Sequence, residues 1–210
     1  MGRGVRVMIY DLDLLVKLKI PDVTAVTTKD TLQRRMGYKG VLKDLRREDY
    51  WKIKVEAKNE KEARRLGVEL AEKANIFVNP NKHTYQLGVG GQRTEVISHQ
   101  SSVISYQISG RREKGEDRRQ RLGEDKLYPL RVLVSYLEDG TADLICDALK
   151  NRLRYGKRIL EVQRGTIWTL IIKAKNKRVA RQIAREITLT KDRKKGLLAN
   201  PHFQKYQIYV

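Results

Sequence analysis

Residues 79–89 read NPNKHTYQLGV, and residues 200–210 read NPHFQKYQIYV. Both place Asn-Pro, four further residues, then Tyr-Gln and an apolar side chain, so that Asn79, Pro80, Tyr85, Gln86 and Leu87 stand against Asn200, Pro201, Tyr206, Gln207 and Ile208. The offset is 121 at this motif and settles at 117 further towards the N terminus. There Leu32 meets Leu149, Arg35 meets Arg152, Tyr38 meets Tyr155, Arg47 meets Arg164 and Trp51 meets Trp168. Near the start, Arg6-Val7 matches Arg131-Val132 at an offset of 125. The offset changes where loops are expected, which predicts two copies of one module: residues 1–89, a linker over 90–127, and residues 128–210.

Each copy gives the same series of elements. The apolar runs VRVMIY and PLRVLVSY suit buried strands. A helix follows in each, TTKDTLQRRMGY and TADLICDALKNRLRY, the second with Leu144, Ile145, Ala148, Leu149 and Arg152 on one face and Thr141 as its N-cap. GVLKDLR and YWKIKVEA, then KRILEVQR and TIWTLIIKA, read as strand pairs joined by the short links REDY and RGT. Asn59 and Asn176 stand where second helices would begin, and HTYQLGV and KYQIYV close the copies as strands. The predicted fold class is α+β: two tandem β-α-β-β-α-β domains, each an antiparallel sheet with helices on one face.

The linker divides in two. Val103, Ile104, Tyr106 and Ile108 have the spacing of one added strand, while GRREKGEDRRQRLGEDK is a mixed-charge run without apolar period that reads as a solvated tether.

Bulk properties constrain function. With 210 residues there is room for one large domain or for two smaller ones each with its own core, and a formal charge of +20 predicts an anionic partner, either nucleic acid or an acidic protein surface. The lone Cys146 cannot form an internal disulfide, and no long apolar run is present, so a cytoplasmic location is expected.

Taken in order, GYKGVLKDLRREDYWKIKVEAKNEKEAR (residues 37–64) and GLLANPHFQKYQIYV (residues 196–210) resemble PurS, the small accessory subunit of phosphoribosylformylglycinamidine synthase. The resemblance covers roughly residues 4–89 and 128–210. It implies a non-catalytic subunit that self-associates and joins the glutaminase and synthetase subunits of an ATP- and glutamine-dependent ligase in purine synthesis. Two copies on one chain would then pair as a pseudo-dimer, and a short linker raises the effective concentration of one copy near the other. Departures are visible: only Lys19, Pro21 and Asp22 keep a trace of the family's first loop in copy one, Asp139 does so in copy two, and Gly37-Tyr38 becomes Arg154-Tyr155.

The resemblance assigns a subunit contact to Asn79, Pro80, Tyr85, Asn200, Pro201 and Tyr206, to which Trp51 and Trp168 are added, read most simply as core or interdomain aromatics on the third strand. Asn-Pro also has a plain reading as a turn former. No cofactor, metal or catalytic group is expected: His83, His99, His202 and Cys146 lie in unrelated contexts, whereas such chemistry needs several groups converging on one point. The competing reading is a nucleic-acid-binding protein using Arg34, Arg35, Arg46, Arg47, Arg64, Arg65, Lys191, Arg193, Lys194 and Lys195. Against it, neither Trp-bearing strand carries the alternating aromatics of an RNA-stacking sheet.

Overall fold

The computed structural model describes residues 7–90, 125–191 and 195–209. Strand β1 (Met8–Leu18) leads to helix α1 (Val23–Asp30), a long strand β2 (Leu42–Ala57), helix α2 (Glu60–Lys73) and strand β3 (His83–Val89). The second part follows the same order with β4 (Lys126–Tyr136), α3 (Gly140–Asp147), β5 (Ile159–Ala174), α4 (Lys177–Thr188) and β6 (Gln204–Tyr209). The added strand and the charged tether expected in the linker lie outside the described residues.

All six described strands form one antiparallel sheet in the order β3-β1-β2-β5-β4-β6. This corrects the expected β-α-β-β-α-β order, because each expected strand pair is one continuous strand. The supposed links sit mid-strand in the β2–β5 pairing, with Arg47 opposite Trp168, Glu48 opposite Ile167, Asp49 opposite Thr166 and Tyr50 opposite Gly165. Gly165 is not a turn glycine here. A Cβ on it would stand 2.8 Å from the Val134 carbonyl oxygen, so it marks close backbone approach rather than reversal of the chain.

The first strand also needs correcting. It runs Met8–Leu18, burying Leu12, Leu14, Leu15 and Val16 while Val7, Met8 and Ile9 stay exposed. Leu14 lies opposite Trp51 and Val132 opposite Trp168, so these two, rather than Val7 and Val132, hold equivalent registers. The acidic residues that make DLDLLVKL look unlike a strand point to the other face, where Asp11 pairs with Lys52 at 2.8 Å. Alternation with period two permits both faces at once.

Caps set the helix starts. Asn59 Oδ1 accepts the Glu62 amide at 2.9 Å, and Asn176 Oδ1 accepts the Val179 amide at 2.9 Å, as the sequence predicts. The first helix of each part begins earlier than expected because an aspartate caps it. Asp22 accepts from the Thr24 and Ala25 amides and Asp139 from those of Thr141 and Ala142; Thr141 is inside the first turn, not its cap. Leu144 is likewise corrected: it is 72% exposed, and α3 instead buries Ala142 and Cys146. Both helices end in a wider turn, with the Met36 amide reaching the Thr31 carbonyl and the Leu153 amide that of Ala148. Gly37 then takes φ +79° and Arg154 φ +60°, so Arg154 occupies the left-handed conformation its glycine counterpart adopts freely, at a cost of about 1–2 kcal/mol.

The helices all lie on one face, over two cores, and the cores are not divided as the sequence is. The first contains Leu12, Leu14, Ile53, Leu66 and Leu70 together with Ala142, Cys146 and Leu149 of α3 and the turn after it. The second contains Leu130, Val132, Leu170, Ile172 and Ile187 together with Ala25, Leu32, Leu42 and Leu45 from α1, the turn after it and the start of β2. The first helix of each part thus closes the core of the other. Long strands cause this: β1 pairs with β2 only from Asp49 onward, while the earlier half of β2 carries α1 alongside β5.

Residues 195–199 fold back on α4 through the Leu197 amide to the Ile187 carbonyl and the Ala199 amide to the Thr188 carbonyl. Gly196 takes φ +76° there, and a Cβ would fall 1.7 Å from the Leu189 carbonyl oxygen. Gly196→Ala is therefore expected to dislodge this loop and cost about 1–3 kcal/mol in a urea titration; an unchanged midpoint would show that the loop adapts freely.

Candidate interaction site

The residues expected at a subunit contact do not converge. Asn79 and Asn200 organise equivalent turns, each accepting from the amide two residues on, Asn81 and His202, at 3.0 Å. These turns lead into β3 and β6, the two outermost strands of the sheet. The Pro80 carbonyl accepts from Lys19 Nζ at 2.6 Å; Pro201 is exposed in its own turn. Tyr85 donates its hydroxyl to Glu72 at 2.8 Å, and burial followed by that carboxylate raises the phenol pKa; Tyr206 packs half-buried against the second core. Trp51 and Trp168 are core residues, Trp51 edge-on to Phe77 with ring centroids 5.1 Å apart.

What does converge is a charged seam where β2 meets β5 on the helix-bearing side. Arg47 reaches Asp22 at 3.1 Å and Asp49 at 2.6 Å, while Arg164 reaches Asp139 at 3.0 Å and lies over the Tyr136 ring at 4.8 Å. Both capping aspartates thus serve twice, holding a helix start and a guanidinium of the long strand that follows. The pairs also meet in register, with Arg47 opposite Trp168 and Trp51 opposite Arg164. Sequence reasoning took Asp22 and Asp139 as loop remnants. The signal that could have found them is an aspartate 25 positions before the arginine in both parts.

The opposite face of the sheet carries ion pairs across the same seam. Lys54 binds Glu161 at 2.7 Å and Arg131 binds Glu48 at 2.9 Å. The hydrogen bonds from Lys54 and then Gln163 hold the Glu161 carboxyl below the usual range, and the same Glu161 bond raises the Lys54 ammonium. Tyr50 donates to Asp13 at 2.5 Å; burial first, and then that carboxylate, push its phenol far up. This face is a network of matched charges, and such exposed pairs individually contribute little stability.

The basic residues expected to contact nucleic acid do not form one surface. Arg34 pairs with Asp30 at 2.6 Å, Arg46 with Asp44 at 2.9 Å and Arg64 with Glu60 at 4.0 Å. Arg46 and Arg47, adjacent on a strand, point to opposite faces of the sheet. Arg35 and Arg65 are exposed on separate helical segments, and Lys191 and Lys195 are exposed, their backbones joined by a 3.0 Å hydrogen bond. Arg193 and Lys194 lie outside the described residues. Sequence reasoning misses a row of cations on α4, where Arg178, Arg181 and Arg185 recur at helical spacing and only Lys177-Arg178 stand adjacent.

Among the described residues no cluster of three or more His, Cys, Asp or Glu side chains could hold a metal. His83 Nδ1 instead accepts the Asn79 amide at 3.1 Å, and buried Cys146 lies 3.8 Å from the Leu160 carbonyl oxygen. His99 lies outside the described residues. No described helix is long and apolar enough to cross a membrane. No curated protein and no solved structure matches the chain. Residues 11–90, from within β1 to just past β3, match the model of the PurS family, described as phosphoribosylformylglycinamidine (FGAM) synthase.

Proposed function

We propose that this chain is a non-catalytic accessory subunit of phosphoribosylformylglycinamidine synthase in purine biosynthesis, working in the cytoplasm to join glutaminase and synthetase subunits. The observation that carries this reading is the PurS match over residues 11–90. The repeated sequence and the repeated element order support a second PurS-like copy over 128–210, covalently paired with the first as a pseudo-dimer. Exchange of α1 and α3 between the cores supports the same pairing, since each half lends the other a helix. Docking of the partner subunits falls to the exposed turns around Asn79-Pro80 and Asn200-Pro201 with Tyr85 and Tyr206. Trp51 and Trp168 act from within the two cores, Trp51 against Phe77 just before the first of those turns.

The test is reconstitution. Added to purified glutaminase and synthetase subunits, the chain should co-elute with both and restore glutamine-dependent, ATP-consuming amidation of formylglycinamide ribonucleotide. Failure to co-elute with either subunit, together with no gain in glutamine-dependent turnover, would sink the proposal.

A further inference from the structure

Helix α4 buries Ala180, Ala184, Ile187 and Thr188 and turns Lys177, Arg178, Arg181 and Arg185 outward. With Gln182 these residues form one continuous exposed face of the helix. Arg178, Arg181 and Arg185 have no ion-pair partner among the described residues. The one carboxylate on the helix, Glu186, accepts from Gln182 at 3.2 Å. This contrasts with the rest of the described surface, where most of the arginines singled out from sequence are matched to acids.

The placement works against the helix itself. The first turn of α4 holds Lys177 and Arg178 and no acidic residue, whereas α2 has Glu60 and Glu62 in the corresponding turn. Cations at a helix N-terminus oppose the macrodipole and are mildly destabilising. The positive end of the dipole and the guanidinium row therefore add to one unopposed positive field.

We propose that this face of α4 binds the phosphodiester backbone of nucleic acid. The guanidinium row extends about 10 Å along the helix at 1.5 Å per residue, enough to meet successive phosphates of one strand. An acidic protein is the less suitable occupant because protein interfaces centre on buried aromatic or aliphatic anchors, and the only large hydrophobic on the exposed side of this helix is Val179, at 37%. A net charge of +20 supplies the long-range attraction, and the α4 row supplies a local site for it.

The test uses the full chain and fluorescein-labelled 20-nucleotide DNA, single- and double-stranded, by anisotropy across a salt series, with poly-glutamate as competitor. Each phosphate neutralised contributes roughly 0.7–0.9 to the log–log salt slope. Wild type should bind with a steep slope, and R178E/R181E/R185E should weaken binding at least about tenfold and flatten the slope by about 2–3. The same variant should keep its circular dichroism and a thermal midpoint no lower than that of wild type, since Arg178→Glu places an acid at the helix start. R64E/R65E, on α2, should lose far less. The proposal is overturned if the α4 variant binds as wild type does, if R64E/R65E loses as much, or if poly-glutamate displaces DNA at equal charge concentration.

Discussion

Expressed alone, residues 1–90 will not give a folded monomer. In the intact chain α1 has no core of its own half to cover: Ala25 and Leu32 are buried against β4, β5 and α4, and the early half of β2 finds its hydrogen-bonding partner in β5. Without the second part, Leu32, Leu42 and Leu45 would all be uncovered, each worth about 1.5–3 kcal/mol of burial, and the unpaired edge of β2 would invite another chain. A domain of this size has only about 5–15 kcal/mol of net stability to lose. Sedimentation should therefore find either a self-paired dimer, in which a second copy takes the place of residues 125–209, or an unfolded chain. A folded monomer with native-like tryptophan fluorescence would show that the exchanged helix is dispensable.

The four major helices and the closing strands were legible because each depends on local signals: Asn caps, a 3.6-residue period, alternation into Tyr-Gln. The long strands were not. REDY and RGT have the composition of tight turns, and only the pairing partner reveals that Arg47 and Arg164 are neutralised by Asp22 and Asp139 lying 25 residues earlier. A mid-strand charge is tolerable once paired, and nothing local says that it will be. The first strand was misplaced for a related reason. A β-branched run outcompeted DLDLLVKL in propensity, although propensity in strands follows burial and cross-strand neighbours more than the residue itself. Helix exchange was invisible because it is a property of strand length: a hairpin would have kept α1 over its own half, whereas an unbroken β2 delivers it to the other. The Asn-Pro turns were legible as a sequence pattern, but their placement at the two opposite edges of the sheet was not. The aligned tryptophans are buried, and among the described residues Arg178, Arg181 and Arg185 on α4 stand without an acid at helical spacing, a pattern that adjacent pairs such as Arg34-Arg35 do not show.

Leu149→Ala will lower the stability of both cores at once. Leu149 follows α3 in the second part of the sequence, is fully buried, and packs within the first core among residues of β1, β2 and α2. Truncating a buried leucine costs about 2–5 kcal/mol, depending on how far the site collapses. Because the sheet runs unbroken through β2 and β5 and each core borrows a helix from the other half, that loss should appear in a single cooperative transition. The two tryptophans can report it separately: W51F leaves Trp168 to watch the second core, and W168F leaves Trp51 to watch the first. In urea titrations of both backgrounds Leu149→Ala should shift the two fluorescence midpoints by the same amount. If Trp51 moved and Trp168 did not, the cores would be unfolding independently, and the exchanged helices would be a contact between two self-sufficient domains rather than the element that makes them one.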